Sequence, residues 1–244
     1  SILEKAQKNL LSVFLVPDSH YTFAQISDIH IQNTNKGKTI KNVKPELLLK
    51  DAISQINNDN NIDFTLITGD IIDFPDTGLF QYVVRIFNNL KKPWFYVFGN
   101  HDRNLGKVIP RDDLLKILQS ENKLKFSAKR YYTFHPKRGY TFIGLDGSDY
   151  SIDEEQITYL QYTIEMNPND VIVVFMHTPV VPPIDLMWHH CENEEVVVKI
   201  LSSYSQPILV LAGHYHATKI IQDDNVIHVS SPSLRNAQIG RAHV

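Results

Sequence analysis

Five hydrophobic runs in this sequence end in polar residues of the kinds that bind metal ions. The runs resemble buried strands because they are short, apolar and rich in β-branched and aromatic residues. Because the carboxyl ends of strands line the ligand crevice in an open α/β sheet, we expect their tips to converge. The runs and their tips are Tyr21–Ile26 before Asp28 and His30, Phe64–Thr68 before Asp70, Trp94–Phe98 before Asn100 and His101, Val171–Met176 before His177, and Ile208–Leu211 before His214 and His216.

The remaining hydrophobic patterns predict a single α/β domain. Further strands are predicted at Tyr131–Phe134, Thr141–Leu145, Thr218–Ile221 and Val226–Val229. Amphipathic helices are predicted at Pro45–Ile56, Gly78–Leu90, Arg111–Gln119, Ile152–Glu165 and Glu192–Leu201. Ser151 and Glu154 predict a capping box for the fourth helix, and the polar residues 223–225 predict a hairpin turn. We expect the domain to span residues 21–244, with residues 1–20 as an N-terminal extension that packs on it.

Composition and charge exclude several classes of function. The chain has 244 residues and a formal charge of −3, so it has no general basic field, and nucleic acid is an unlikely partner. Cys191 is the single cysteine, which rules out an internal disulfide and favours a reducing, cytoplasmic location. The apolar run Leu10–Val16 is too short to span a bilayer, so we expect no membrane span. A signal sequence is an alternative for this run, but no small-residue cleavage site follows it. The oligomeric state stays open.

Each polar tip has an ordinary explanation when it is considered alone. Asp28 or Asp70 after a strand can cap a helix, His177 can be a boundary histidine with satisfied hydrogen bonds, and Asn100 beside a glycine can form a turn. Independent turns and caps would scatter Ser, Thr, Lys and Glu among these positions. Instead every tip carries a carboxylate, an amide or an imidazole, the donors that bind Zn, Mn or Fe. The combined pattern therefore predicts a metal site.

The order of these motifs resembles that of the calcineurin-like metallophosphoesterase superfamily. The motifs are Asp28-x-His30, Gly69-Asp70-x-x-Asp73, Gly99-Asn100-His101-Asp102, His177 and Gly213-His214-x-His216. The segment from His177 to His216 looks closest to the bacterial class III cyclic-nucleotide phosphodiesterases. The resemblance implies a four-layer α-β-β-α sandwich with the site at the C-terminal ends of the strands.

The resemblance also implies two divalent or trivalent ions, manganese, iron or zinc. Asp70 would bridge the two ions. By the same resemblance Asp28, His30 and His216 would hold the first ion, and Asn100, His177 and His214 the second. On an extended segment, the spacing of His214 and His216 would point both imidazoles the same way, each towards a different ion.

Four residues next to the ligand motifs are candidates for catalysis and substrate binding. His101 is expected to act as the general acid that protonates the leaving oxygen. Asp102 is expected to hydrogen-bond the His101 imidazole and fix its tautomer. Asp73 is expected to support a ligand histidine, with a cap on the helix near Gly78 as the alternative. Arg103 is a candidate for binding substrate phosphate, with a solvent-facing arginine as the alternative.

The expected reaction is hydrolysis of a small phosphodiester, such as a 3',5'-cyclic nucleotide, by metal-bound hydroxide. A phosphomonoesterase or a nuclease on the same scaffold is the alternative, and a non-catalytic interaction module is a third. A monoester dianion usually requires extra cations. Near the proposed ions the sequence offers Arg103 and, on a long loop, Lys36, Lys38 and Lys41.

The segments around the site leave several further possibilities open. Within the loop Pro179–His190, an apolar wall for an organic substituent is predicted, and packing of its residues against the sandwich is the alternative. Its candidate residues are Leu186, Met187 and Trp188. His189 and His190 are interpreted as a surface pair. The segment Ser230–Ser233 is expected either to contact substrate or to form a simple exit loop after the last strand.

Overall fold

The structure is a computed structural model that describes residues 21–32, 44–121, 128–183 and 191–236. Several expectations fall outside these residues. They are the N-terminal extension 1–20, the lysines at 36, 38 and 41, the apolar wall at 186–188 and the histidine pair at 189–190.

Nine strands of the described chain form two sheets. The first sheet is parallel and has the order β1-β2-β3, with β1 at Phe23–Ile26, β2 at Phe64–Ile67 and β3 at Trp94–Tyr96. The second sheet has the order β4-β5-β6-β7-β9-β8, in which the inner strands are parallel and the edge strands β4 and β8 pair in the antiparallel direction. Its strands are β4 Tyr132–Phe134, β5 Tyr140–Gly144, β6 Val171–Phe175, β7 Ile208–Ala212, β8 Lys219–Asp223 and β9 Val226–Ser230. The predicted hairpin between the last two strands is confirmed.

Five helices among the described residues follow the predicted amphipathic patterns with different ends, and the short helix Asn100–Arg103 was not predicted. The helices are α1 Pro45–Asn58, α2 Thr77–Phe87, α3 Asn100–Arg103, α4 Arg111–Glu121, α5 Glu154–Met166 and α6 Glu194–Ser202, followed by a 3₁₀ turn at Leu234–Asn236. The capping box predicted from Ser151 is wrong, because the Asp153 carboxylate accepts the bond from Gln156 N at 3.1 Å. Asp76 caps α2 by accepting a bond from Leu79 N at 2.8 Å. None of the helices in the described ranges is long and apolar enough to cross a membrane.

Three buried apolar layers show that the chain forms an α-β-β-α sandwich. One layer lies between the first sheet and α1, α2 and α4, and includes Leu49 and Phe80. Another lies between the second sheet and α5 and α6, and includes Leu160. The third lies between the two sheets and includes Phe142 and Phe175. The predicted fold class is confirmed, and it brings tips of both sheets to one edge of the sandwich.

Candidate metal centre

Two groups of donor side chains lie side by side at the strand tips. The first donor group consists of Asp28, His30 and His216, and its donor atoms all lie within 4.8 Å of one another. His30 Nε2 is 3.0 Å from His216 Nε2, which in turn is 3.3 Å from Asp28 Oδ1. Asp28 and His30 follow β1 of the first sheet, whereas His216 follows β7 of the second. The first group therefore spans both sheets.

The second donor group consists of Asp70, His177 and His214, and it meets the same distance criterion. His177 Nε2 lies 3.1 Å from Asp70 Oδ2 and 3.2 Å from His214 Nδ1. The side-chain oxygen of Asn100 lies 3.1 Å from the same His177 nitrogen. Asp70 Oδ2 is also 3.7 Å from His30 Nε2 of the first group. Asp70 therefore lies between the two groups.

The backbone at the donor positions adopts an uncommon conformation. Asp28, His30, Asp70, His214 and His216 have φ angles between 53° and 71°, in the left-handed region. Such a conformation costs non-glycine residues on the order of 1–3 kcal/mol each and persists only where surrounding contacts impose it. Hydrogen bonds provide these contacts, from His30 N to Asp70 O at 3.0 Å and from His214 N to the Asp28 carboxylate at 3.0 Å.

The expectation that His214 and His216 lie on an extended segment is wrong. Both residues have left-handed φ angles, and Tyr215 N donates to Gly213 O at 2.8 Å, so the segment is a tight bend. The bend nevertheless sends the two imidazoles into different donor groups.

Two glycines allow the backbone to approach the carboxylates closely. A Cβ on Gly99 would lie 2.1 Å from Asp70 Oδ1, and a Cβ on Gly213 would lie 2.6 Å from Asp28 Oδ2. Any larger residue at either position would displace a donor carboxylate.

The donor groups are buried, and their charges compensate each other. Burial raises the pKa of Asp28, but the hydrogen bond from His216 and the charge of His177 outweigh burial and lower it. For Asp70, burial is similarly outweighed, mainly by His177, and the pKa is well below its ordinary value. Burial lowers the pKa of His177, but the Asp70 carboxylate reverses this effect and raises the pKa to about 10. The His177 imidazole thus keeps its proton because carboxylates surround it. The same carboxylates would also stabilise a metal cation in place of that proton.

The Nδ1 atoms of two donor histidines lie near oxygen acceptors, with hydrogen-bond geometry at His177 and only an ion-pair distance at His30. His177 Nδ1 lies 2.7 Å from Thr68 O, and His30 Nδ1 lies 3.1 Å from Asp73 Oδ1. An imidazole keeps a proton on the nitrogen that faces an acceptor, which leaves Nε2 available as a metal ligand. The donor set of imidazole, carboxylate and amide oxygen, with these Nδ1 atoms near oxygen acceptors, fits two Mn, Fe or Zn ions.

Asp102 does not make the expected hydrogen bond to the His101 imidazole. Its fully buried carboxylate accepts five hydrogen bonds from other groups. The donors are Asp70 N at 2.9 Å, Ile71 N at 2.8 Å, Ile72 N at 3.2 Å, Gly99 N at 2.9 Å and the Tyr96 hydroxyl at 2.7 Å. Asp102 therefore fixes the backbone that carries Asp70, because it is the nearest acceptor for the amides of that turn.

His101 is oriented by Asp73 instead. Its Nδ1 lies 2.7 Å from the Asp73 carbonyl oxygen, and its Nε2 lies 3.9 Å from Asp70 Oδ2. The His101 ring packs edge-on against His30 with 4.6 Å between centroids. The Asp73 carboxylate faces the ligand candidate His30, as one of the two interpretations expected, whereas the α2 cap falls to Asp76.

Of the two interpretations of Arg103, the solvent-facing one is wrong, and binding of substrate phosphate stays a prediction. The Arg103 side chain is buried rather than solvent-facing, and its guanidinium donates to the Asp149 carboxylate and to Ser148 Oγ at 3.5 Å. Arg111 donates to the same carboxylate at 2.5 Å. The charge of Arg103 is thus paired with the Asp149 carboxylate within the fold.

The sequence analysis missed the contribution of the C-terminal segment. Ser233 Oγ donates to Asp28 O at 2.7 Å, and Arg235 Nη1 donates to Asp73 Oδ1 at 3.0 Å. Ser233 was singled out only as part of a segment that contacts substrate or forms an exit loop, and Arg235 shares no motif with the donor residues, so no sequence signal indicated it. Cys191 is packed in the apolar layer under α6, where burial raises the pKa of its thiol to about 11.

Comparison with known proteins shows the class of this chain. The Calcineurin-like phosphoesterase family model matches residues 21–218, so the chain belongs to that family. It is a metallophosphoesterase, as predicted from the motifs.

Individual relatives are similar over most of their length. A probable cyclic nucleotide phosphodiesterase of Xenorhabdus bovienii is 23% identical over 86% of this chain and 84% of its own length. A manganese-dependent ADP-ribose/CDP-alcohol diphosphatase of Arabidopsis thaliana is 22% identical over 85% of this chain and 84% of its own length. The solved structure of a dimetal phosphatase from Danio rerio aligns with a TM-score of 0.72 and 18% identity, over 90% of this chain and 89% of that one, which establishes the shared fold.

Proposed function

We propose that the chain uses two metal ions to hydrolyse a small phosphodiester, such as a 3',5'-cyclic nucleotide. The observation that carries the proposal is the position of the Asp70 carboxylate, 3.1 Å from His177 Nε2 and 3.7 Å from His30 Nε2. A carboxylate between two donor groups can serve both ions. When bound, two such ions neutralise phosphoryl oxygens and generate the attacking nucleophile from water at neutral pH.

His101 supplies the proton for the leaving oxygen in this proposal. Its Nδ1 faces the Asp73 carbonyl, which only accepts, so Nδ1 carries a proton in every state that keeps this bond. The transferable proton is then the Nε2 proton of the imidazolium, on the side of Asp70. After transfer the ring is neutral and still bonded through Nδ1. The side chain is a quarter exposed, so a substrate has access to it.

The charges around the donor groups favour a diester over a monoester. The two described arginines nearest the proposed catalytic residues both face carboxylates, Arg103 with Asp149 and Arg235 with Asp73. A monoester dianion would lack the free arginine forks that usually compensate its second charge. Relatives named as cyclic nucleotide phosphodiesterases support the same choice.

A diphosphate bond is the second candidate substrate. The Arabidopsis relative named as an ADP-ribose/CDP-alcohol diphosphatase matches this chain over nearly the same extent as the Xenorhabdus relative. Each phosphorus of such a substrate carries one ester and one anhydride linkage and, like a diester, a single negative charge.

A substrate panel with matched variants tests the proposal. The protein is reconstituted separately with Mn²⁺, Fe²⁺ and Zn²⁺, and kcat/KM is measured for cyclic AMP, bis(nitrophenyl) phosphate, ADP-ribose and nitrophenyl phosphate. We expect two ions per chain and the highest values for a diester or the diphosphate. Asp70→Ala should lose nearly all activity, whereas Asp51→Ala, at an exposed carboxylate of α1, should not.

Several results would contradict the proposal. Fully active protein with a single ion would refute the dinuclear site. A monoester value far above those of all the other substrates would indicate a phosphatase, and two bound ions without any hydrolysis would indicate a non-catalytic module.

The role of His101 is tested by changing the leaving group. His101→Ala should retain both ions but reduce turnover about 100-fold or more on an alkoxide leaving group. The loss should be smaller with nitrophenolate, which needs little protonation. Equal losses on both substrates would mean that His101 binds substrate instead of donating a proton.

A further inference from the structure

The turn Ser233–Arg235 donates three hydrogen bonds to the backbone just after β1. Ser233 Oγ donates to Asp28 O at 2.7 Å, Leu234 N to Ser27 O at 3.1 Å and Arg235 N to Asp28 O at 3.3 Å. Leu234 is buried in the layer under the first sheet, which anchors the turn. The carbonyl of Asp28, a residue with a left-handed φ of 55°, is therefore held from the C-terminal side of the chain.

The Arg235 side chain extends this contact to the Asp73 carboxylate. Arg235 Nη1 lies 3.0 Å from Asp73 Oδ1, the same oxygen that lies 3.1 Å from His30 Nδ1. Gln32 Nε2 donates to the other oxygen of Asp73. The backbone carbonyl of Asp73 meets His101 Nδ1 at 2.7 Å. One residue, Asp73, thus connects Arg235 with both His30 and His101.

We propose that Arg235 is a positioning residue that holds Asp73, and through it His30, in the geometry needed for metal binding. The inference rests on the proposed function only in taking His30 as a metal ligand. Ser233 assists by holding the backbone of Asp28, the neighbouring donor of the same group.

The burial of the contact argues against an incidental surface ion pair. Asp73 is 7% exposed and His30 is 2% exposed, whereas the Arg235 side chain is 28% exposed, so solvent screens the contact only from the arginine side. Without Arg235, the Asp73 carboxylate would keep Gln32, His30 and, at 3.8 Å, His101 as partners among the described side chains, and it would lose the one arginine that holds it. Groups that orient metal-ligating histidines in this way typically contribute 10–100-fold to metal affinity or activity.

Metal affinity in the absence of substrate tests the proposal. Dissociation constants for Mn²⁺ are measured by competition with a chelating indicator on the full chain. Arg235→Gln should raise the dissociation constant of one of the two ions about 10-fold. Arg235→Lys, which keeps the charge but not the fork, should show a smaller loss, and so should Ser233→Ala. Arg138→Gln is the matched control, because Arg138 is an exposed arginine away from the donor groups, and it should match the wild type.

A double-mutant cycle decides whether Arg235 acts through Asp73. In an Asp73→Asn background, Arg235→Gln should cause little further loss of Mn²⁺ affinity, because the residue through which it acts has already been changed. Unaltered affinity in Arg235→Gln, or the same 10-fold loss with and without Asp73, would overturn the proposal. A raised KM with unaltered affinity would also overturn it, since Arg235 would then contact substrate. Thermal melting of each variant verifies folding, and Arg235→Lys, alone and in the Asp73→Asn background, gives the answer if the glutamine variant does not fold.

The proposed function and this inference can be refuted independently of each other. A wild-type chain that binds two ions but hydrolyses no ester refutes the function, and the affinity cycle still decides the role of Arg235. A wild-type chain that binds no ion refutes both.

Discussion

Replacing Asp102 distinguishes a structural role from the catalytic role that the motif predicts. Its Oδ2 accepts three hydrogen bonds and its Oδ1 accepts two, all from groups that hold the turn around Asp70 and Gly99. Asp102→Ala leaves these five donors without their acceptor. Because an unsatisfied buried donor costs about 1–3 kcal/mol, the gross loss of stability is on the order of 5–15 kcal/mol.

Removal of a buried charge offsets part of this loss. Burial and the neighbouring Asp70 charge raise the pKa of Asp102 to about 6. A rise of roughly two units corresponds to about 3 kcal/mol that the ionised carboxylate costs the fold at neutral pH. The net destabilisation of Asp102→Ala is therefore about 2–12 kcal/mol, and each kcal/mol lowers the melting temperature of a chain of this size by about 2–4 °C. Asp102→Asn retains one acceptor oxygen and should lie between the alanine variant and the wild type.

Thermal melting with chelator and Mn²⁺ titration measure the two consequences. The Asp102 variants should melt earlier without metal and should bind Mn²⁺ more weakly, because the backbone of Asp70 is no longer held. His101→Ala, by contrast, should keep its metal affinity. If Asp102→Ala retained the wild-type melting temperature and metal content but lost 100-fold in turnover, the structural reasoning would be refuted, and a direct effect on His101 would be required.

Two further predictions concern the close backbone approach at the site and a buried histidine in β9. Gly213→Ala should weaken Mn²⁺ binding, since its Cβ would lie 2.0 Å from Ser27 Oγ and 2.6 Å from Asp28 Oδ2. Gly78→Ala, at an exposed position, is the control and should bind Mn²⁺ like the wild type. Equal affinities of the two variants would contradict the close approach. Burial lowers the pKa of His228 from 6.5 to about 4, so its contribution to stability is complete above pH 6.5 and is lost as the pH falls from 6.5 towards 4. Between pH 7 and pH 5 the wild type should therefore lose about 2 kcal/mol more than His228→Phe by urea unfolding, and identical losses would refute this assignment.

The donor residues were predictable from sequence because they are local to the strand ends. A run of buried residues that stops at Asp, Asn or His is visible in the sequence, and parallel strands bring such ends to one edge. The hydrophobic patterns also predicted an α/β domain, the hairpin after β8 and the approximate positions of most helices, whereas the sandwich was implied by the resemblance to the metallophosphoesterases. These patterns missed exact helix starts, such as the Asp153 cap of α5, because Ser151 and Asp153 are both good caps in sequence terms.

The partners of the charged side chains were not predictable in the same way. Asp102 and Arg103 both follow His101, yet their side chains find different partners. The Asp102 carboxylate accepts from five donors at the tips of its own sheet, whereas the Arg103 guanidinium reaches Asp149 after β5. Closeness in sequence to a motif suggests that a residue works with that motif. The groups that a charged side chain contacts depend instead on where the fold buries it. Arg235 shows the converse case, because it lies 162 residues from Asp73 and still contacts it.

The spacing of the two donor groups depends on how the two sheets pack. Each group combines residues that follow strands of the first sheet with histidines that follow β6 or β7 of the second. Direct bonds link the two sides, from His214 N to the Asp28 carboxylate at 3.0 Å and from Gln25 Nε2 to Ala212 O at 3.2 Å. Behind them lies the aromatic layer between the sheets, where Phe23 and Phe142 meet edge-on at 5.6 Å. Because a close-packed layer resists changes in thickness, the distance between the sheets, and with it the distance between the donors, is set by these rings before any ion binds.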